Sequence, residues 1–296
     1  MNGTDAERIL FSIFTDPMMG LSYESEPVFR KLETHFPGRI VFRHVMSLLV
    51  PDVFALVDPA DLPEGEATAI ERYNARLAKI YESEEAIGGL PINMIGFCLF
   101  SPERPSSLPL NVAYKTAQLV APKKADAYLY RLRFATIAEC RPTTRKEELV
   151  AVARETGIDA DAFLKAYDGP TARRALNADL SMARGYGIRS LPACLLEYRG
   201  QKIVASAMIG YAAFVGLMEK ISGGNLKPTP PAATIDALKN LLREHPLISP
   251  QEIREAFGFQ TMEEAQNFIR PLTESGEAAV RRVPRGWFLE AAKEKF

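Results

Sequence analysis

The sequence predicts an α/β chain with an all-helical insertion and a small α+β unit at its C-terminal end. Three observations carry this. Two apolar runs flank a helical stretch within the first 50 residues. A long Ala-, Glu-, Arg- and Leu-rich region follows before strands return near residue 193. A Pro-rich segment, 225–231, then separates a final unit that opens its helices with capping boxes. Composition fits: of 296 residues 47% are hydrophobic and 25% charged, values of a globular chain and not of a disordered or low-complexity one.

The elements follow in order. Ile9-Leu10-Phe11-Ser12-Ile13-Phe14 reads as a buried strand closed by Thr15-Asp16-Pro17. Val28, Phe29, Leu32 and Phe36 lie at helical spacing, predicting one helix from about Ser22 to His35, stopped by Pro37-Gly38. Arg39 to Val45 is the second strand. Both strands are apolar, which implies a parallel pair. Helices are predicted over Ala67–Glu85, Leu108–Val120, Lys123–Glu139, Asp159–Tyr167 and Thr171–Tyr186, with another opened by a capping box at Thr144-Arg145-Lys146-Glu147. Residues 88–107 read as an irregular loop. Ala193–Tyr198 and Ile203–Ala207, joined by Arg199-Gly200, predict a hairpin, and Tyr211–Ile221 a final helix.

That order is the order of a thioredoxin-like fold with a helical insertion. It assigns 1–61 and 187–224 to the thioredoxin-like domain, 62–186 to the insertion and 225–231 to a linker. Residues 232–296 hold three predicted helices and a hairpin, a winged-helix-like order. This unit carries nine Lys/Arg against ten Asp/Glu, and its third helix opens on Glu263-Glu264. Those charges are unfavourable beside phosphates, so no nucleic-acid partner is expected. A unit of about 65 residues is marginal alone, and a homodimer contact is expected to supply the missing burial.

Charge and cysteine usage narrow the function. Lys+Arg number 36 and Asp+Glu 37, which excludes a chain-wide basic footprint. Three cysteines without a C-x-x-C argue against a disulfide-stapled scaffold. Neither a leader-like segment nor a spanning apolar run is read, so a cytoplasmic protein without membrane attachment is expected. Three scattered histidines give no metal spacing, and no glycine-rich phosphate loop is present.

Phe14-Thr15-Asp16-Pro17-Met18-Met19-Gly20-Leu21-Ser22-Tyr23, followed by Glu26-Pro27-Val28, resembles the active-site entry of DsbA-family thioredoxin-fold proteins. It is most similar to the FrnE-type branch, with 2-hydroxychromene-2-carboxylate isomerase and kappa-class glutathione transferase. Val45–Asp52 is also similar to that branch, and Gly187-Ile188-Arg189-Ser190-Leu191-Pro192 matches the family's cis-proline loop. The resemblance covers about residues 8–224. In redox members C-x-x-C follows Asp-Pro-x; this chain has Met19-Gly20-Leu21-Ser22 there. A thioether and a hydroxyl form no disulfide, so dithiol exchange is not expected.

The resemblance implies a site at Met18, Met19, Gly20, Leu21, Ser22, Tyr23, His44, Leu191 and Pro192. It implies a peptide or thiol ligand held without oxidation, an extended peptide pairing with the Leu191 backbone. A second reading is a glutathione-dependent isomerase or transferase, with Ser22 and the helix start stabilising the glutathione thiolate. The serine of the kappa-class transferases aligns with Met19, however, and Ser22 also reads as a plain helix-start residue. A third reading is an adaptor for a protein client, as some DsbA-like relatives deliver clients to a protease. No cofactor is assigned beyond glutathione. Met18 and Met19 are soft ligands in principle but, with no Cys or His beside them, read as packing or groove lining. His44 reads as a structural or groove histidine. Cys194 and Cys98 are expected to be buried; Cys140 is placed at a helix end facing the cleft, either inert or a lone nucleophile.

Overall fold

The structure, a computed structural model, describes residues 7–292. The first and last few residues, including Lys293, Glu294 and Lys295 of the tail charge count, lie outside the described residues. Strand β1 (Ile9–Thr15) and strand β2 (Ile40–Met46) pair in parallel with Ile13 opposite His44. Strands β3 (Ala193–Tyr198) and β4 (Gln201–Ser206) form the antiparallel hairpin, and β3 pairs antiparallel with β1. The sheet order is β2-β1-β3-β4. Period-2 alternation sends Phe11, Ile13, Cys194 and Leu196 to one face, against Leu32, Phe36 and Phe214. Phe14, Val45, Ala193 and Leu195 fill the other face against Ala183.

The helix expected from Ser22 to His35 is two helices, α1 (Gly20–Glu24) and α2 (Glu26–His35). Pro27 explains the break. It has no N–H to bond the carbonyl four residues earlier, and it sits comfortably in the first turn of α2. The insertion runs through α3 (Glu66–Gly88), α4 (Leu108–Val120), α5 (Ala125–Ile137), α6 (Lys146–Glu155), α7 (Ala160–Asp168) and α8 (Pro170–Gly185). The Thr144 capping box does not form. Arg145 is the N-cap, and the Thr144 hydroxyl instead donates to the Leu99 carbonyl. Helix α9 (Tyr211–Ser222) closes the thioredoxin-like part.

The C-terminal unit contains α10 (Ile235–Glu244), β5 (Leu247–Ile248), α11 (Pro250–Phe257), α12 (Met262–Glu274), β6 (Ala278–Val283) and β7 (Gly286–Ala291). Its sheet order is β5-β7-β6. The capping boxes at Ser249–Glu252 and Thr261–Glu264 both form. Strand β5 has only two residues, too few for a periodic signal.

This unit gains burial from its own chain. Helix α11 lies on α2, where buried Arg30 donates to Glu252 at 3.2 Å and Lys31 to Glu255 at 2.9 Å. Tyr130 of α5 donates to Glu252 at 2.5 Å. Phe288 packs edge-on against Phe134 with ring centroids 4.7 Å apart, and both rings are fully buried in the insertion's core. Arg281 pairs with Glu139 and Arg285 with Glu85, so these hairpin cations are already engaged. Linker residue Thr229 donates its N–H to the His35 carbonyl at 2.6 Å. Among the described residues, no helix is long and apolar enough to cross a membrane.

Candidate functional site: a closed motif turn

Asp16 organises the turn after β1. Its fully buried carboxylate accepts from Met18 N, Leu49 N, Ser107 Oγ and Asn111 Nδ2, all between 2.7 and 3.0 Å. Burial pushes this carboxyl up against the opposing pull of those four donors. The turn is therefore tied to the insertion through α4. Met19 then caps α1 with extended backbone and, as a thioether, offers no side-chain cap bond.

The motif segment is interior. Met18 is 0%, Met19 5%, Ser22 1% and Tyr23 1% exposed; Gly20 is buried and Leu21 half-buried. Helix α3 covers it. Tyr81 donates its hydroxyl to the Met18 carbonyl at 2.5 Å. A Cβ on Gly20 would overlap Glu84 Oε2 and come within 2.7 Å of the Tyr81 ring. Tyr23 reaches the Pro91 carbonyl at 3.0 Å. At the other end of α1, Glu24 Oε2 accepts from Gly88 N at 2.8 Å and Leu90 N at 3.3 Å. Burial raises the Glu24 carboxyl to about 8 and the Glu84 carboxyl to about 7.

Ser22 faces inward. Its Oγ accepts from Thr15 Oγ1 at 2.7 Å, and Thr15 in turn accepts from Arg133 Nη2 at 2.9 Å. At 1% exposure, the Ser22 hydroxyl is not open to an incoming thiolate. The helix field expected there is also reduced, because α1 has five residues and not fourteen.

The Leu191–Pro192 peptide bond is cis, with Pro192 buried and Leu191 half-buried. Gly187, Arg189 and Ser190 before it are exposed, as is most of the free edge strand β4. His44 lies elsewhere, on β2. Its ring bonds Asp126 at 3.2 Å and meets Tyr114 edge-on. It lines a cleft of about 800 Å³ between α2, β2, α5 and the C-terminal unit, together with Phe29, Phe42, Arg133 and His245. The structure thus gathers Met18–Tyr23 in one covered turn and puts His44 in a different cleft.

Of the cysteines, Cys194 is buried and its thiol is pushed up to about 12 by burial. Cys98 is exposed, contrary to the expected burial, because its loop turns Leu99 and Phe100 into the core and leaves Cys98 outside. Cys140 is half-buried in the turn after α5.

Sequence reasoning missed the buried charges that join the units. Arg133 donates to Glu26 at 2.7 Å, and Arg30 reaches Glu26, Glu33 and Glu252. The available signal was Glu26, Arg30 and Glu33 at helical spacing on a helix with an apolar face. Glu33, Glu244 and His245 lie close enough to share a cation. The Arg30 guanidinium already fills that position, with Nη1 2.5 Å from both Glu33 Oε2 and His245 Nε2.

The sequence matches the family described as Thioredoxin over residues 12–201. Curated relatives include the ClpXP adapter protein SpxH of Shouchella clausii, 27% identical over 55% of this chain and 53% of that adapter. The first alignment thus spans about half of the relative's length. The Bacillus subtilis protein of the same name is 21% identical over 93% of this chain and 87% of its own length. Among solved structures, a Nitrosomonas europaea protein of disulfide-isomerase type aligns with TM-score 0.59 and 14% identity, covering 74% of this chain and all of that one. The cytosolic disulfide reductase DsbM of Pseudomonas aeruginosa aligns with TM-score 0.51 and 17% identity over 79% of this chain and 98% of that one. A Streptomyces coelicolor protein of DsbA oxidoreductase type gives TM-score 0.55 and 19% identity, covering 76% and 95%. With the fold, the cis-proline loop and a match over most of its length, the chain belongs to the thioredoxin family.

Proposed function

We propose that this protein is an adapter: a thioredoxin-fold scaffold that binds a protein client for delivery to a ClpXP-type protease and performs no thiol–disulfide exchange on it. One observation carries the reading. The position of the C-x-x-C holds Met19 and Ser22, both buried, and Tyr81 and Glu84 of the insertion cover the turn at Met18 and Gly20. A buried thioether and a buried hydroxyl offer a client neither an attacking nor a resolving thiol. The adapter names of the curated relatives support the same class.

The client surface we propose is the 187–191 loop, exposed at Gly187, Arg189 and Ser190, and the adjoining free edge of β4. Gln201, Lys202 and Ser206 are exposed there, and Val204 is 42% exposed. An edge strand can accept an extended client segment through its unpaired backbone groups. The glutathione-dependent reading has no comparable support, since Ser22 is engaged by Thr15 inside the protein.

A protease trap tests the reading. Proteins captured in cells by an inactivated ClpP are compared with and without this chain. Capture of a distinct client set that needs the chain, and is lost when Val204→Asp alters the β4 edge, is the expected result. Identical trap contents in both strains would sink it.

A further inference from the structure

Three candidates outside the motif turn bear on function: the filled Glu33–Glu244–His245 cluster, the His44 cleft and the pair of cysteines Cys98 and Cys140. The pair carries an argument furthest. Its residues are 42 positions apart in sequence and lie on two irregular segments of the insertion.

Two hydrogen bonds clamp these segments together on either side of the thiols. Asn93 N donates to the Ile137 carbonyl at 2.9 Å. At the far end the Thr144 hydroxyl donates to the Leu99 carbonyl. Cys98 is the neighbour of Leu99, and Cys140 lies between Ile137 and Thr144. Burial, and after it the Cys98 thiol, push the Cys140 thiol up. Both are unpaired, one exposed and one half-buried.

The backbone at Cys140 adds a separate observation. Its φ is +57°, the left-handed region, where a Cβ is disfavoured and glycine is the usual choice. The Arg141 N–H, bonded to the Ala135 carbonyl at 2.8 Å, helps hold this tight turn. Leu48, Arg199 and Ala207 share this backbone region; Cys140 differs from them in carrying a thiol on a segment clamped to the one that bears Cys98.

We propose that Cys98 and Cys140 form a reversible intrachain disulfide, a redox site in the insertion that is distinct from the family's motif position. The oxidant is a low-molecular-weight disulfide such as oxidised glutathione. The Cys98 thiol loses its proton to solvent and its sulfur attacks one glutathione sulfur. The glutathione S–S bond breaks, one glutathione thiolate leaves and a mixed disulfide forms on Cys98. The Cys140 thiol loses its proton and attacks Cys98 Sγ, releasing the second glutathione. Two protein thiols are oxidised and one glutathione disulfide is reduced to two thiols.

The position gives the bond a structural consequence. Glu139, adjacent to Cys140, bonds Arg281 of β6 at 2.6 Å and Arg131 of α5 at 2.7 Å. The disulfide would fix the turn that presents Glu139 to the C-terminal unit.

The test is peptide mapping of the folded full chain after incubation with oxidised glutathione. The expected result is a cross-linked Cys98–Cys140 peptide pair, abolished by a dithiol reductant, with Cys194 still reduced. The variant Cys140→Ser should stop at a stable glutathione adduct on Cys98. Cys98→Ser, at an exposed position, should leave Cys140 unmodified. A wild-type protein that stops at the Cys98 adduct, links through Cys194, links between two chains or stays unmodified would overturn the proposal.

Discussion

Tyr81 donates its hydroxyl to the Met18 carbonyl at 2.5 Å, from the middle of the insertion's first helix to the turn where redox relatives begin their motif. Three residues on, Glu84 lies over Gly20. The insertion thus lies over the turn at Met18 and Gly20.

Gly20 measures how tight that cover is. Gly20→Ala should destabilise the protein by about 1–3 kcal/mol, the usual cost of overpacking. Adding Glu84→Ala should restore part of this, because it removes the nearest clash but leaves the Tyr81 ring. Urea unfolding of the two variants checks it; additive losses would mean that the carboxylate and the glycine do not touch.

Arg30 measures the docking of the C-terminal unit. It is 5% exposed and its partner Glu252 is 0% exposed. Arg30→Ala leaves Glu252 buried without its cation, which costs about 3–5 kcal/mol when a buried pair is broken. Hydrogen exchange should rise first in α11. Unchanged protection of α11 would show that Phe288 and the Arg281 pair hold the unit without α2.

Ser22→Ala removes one buried hydrogen bond and should cost about 0.5–1.5 kcal/mol. Calorimetry with reduced glutathione should give no heat for wild type or variant. Heat in the wild type that disappears in the variant would revive Ser22 as a thiolate anchor.

Glu24 and Glu84 give the α1–α3 contact a pH dependence. Their folded values, about 8 and about 7, lie above the ordinary glutamate value of 4.5. Between that value and the folded ones the folded state binds more protons than the unfolded state, so stability falls as pH rises. The contribution is complete below pH 4.5 and is lost by about pH 8. Melting temperatures of wild type and the Glu24→Gln/Glu84→Gln variant should therefore diverge across this window, with the wild type showing the steeper decline. Parallel curves would contradict the burial of these carboxyls.

Much of the fold is legible from local signals. The strands of the sheet, helix α4, the capping boxes at Ser249 and Thr261 and the Leu191–Pro192 loop all carry periodic or positional marks in the sequence. What is not legible depends on distant partners. The split at Pro27 is an exception, a local mark: the apolar spacing of Val28, Phe29, Leu32 and Phe36 begins only after it. Thr144 prefers a carbonyl 45 residues away to its own helix end. The expectation of a second copy beside the C-terminal unit rests on its small core, but Phe134 and α2 of the same chain already cover much of it. At the candidate site, the loss of both motif cysteines is plain in the sequence. The covering of the turn by α3 is not, because nothing in the spacing of Tyr81 and Glu84 names Met18 and Gly20 as their neighbours.

The closed motif turn is tested most directly by giving the chemistry back. The double variant Met19→Cys/Ser22→Cys restores a C-x-x-C to a turn that remains under Tyr81 and Glu84. Insulin reduction should stay at background in this variant and rise only when Tyr81→Ala and Glu84→Ala are added to uncover the thiols. Rapid insulin reduction by the double variant alone would show that the turn is open to protein substrates, and would contradict the account.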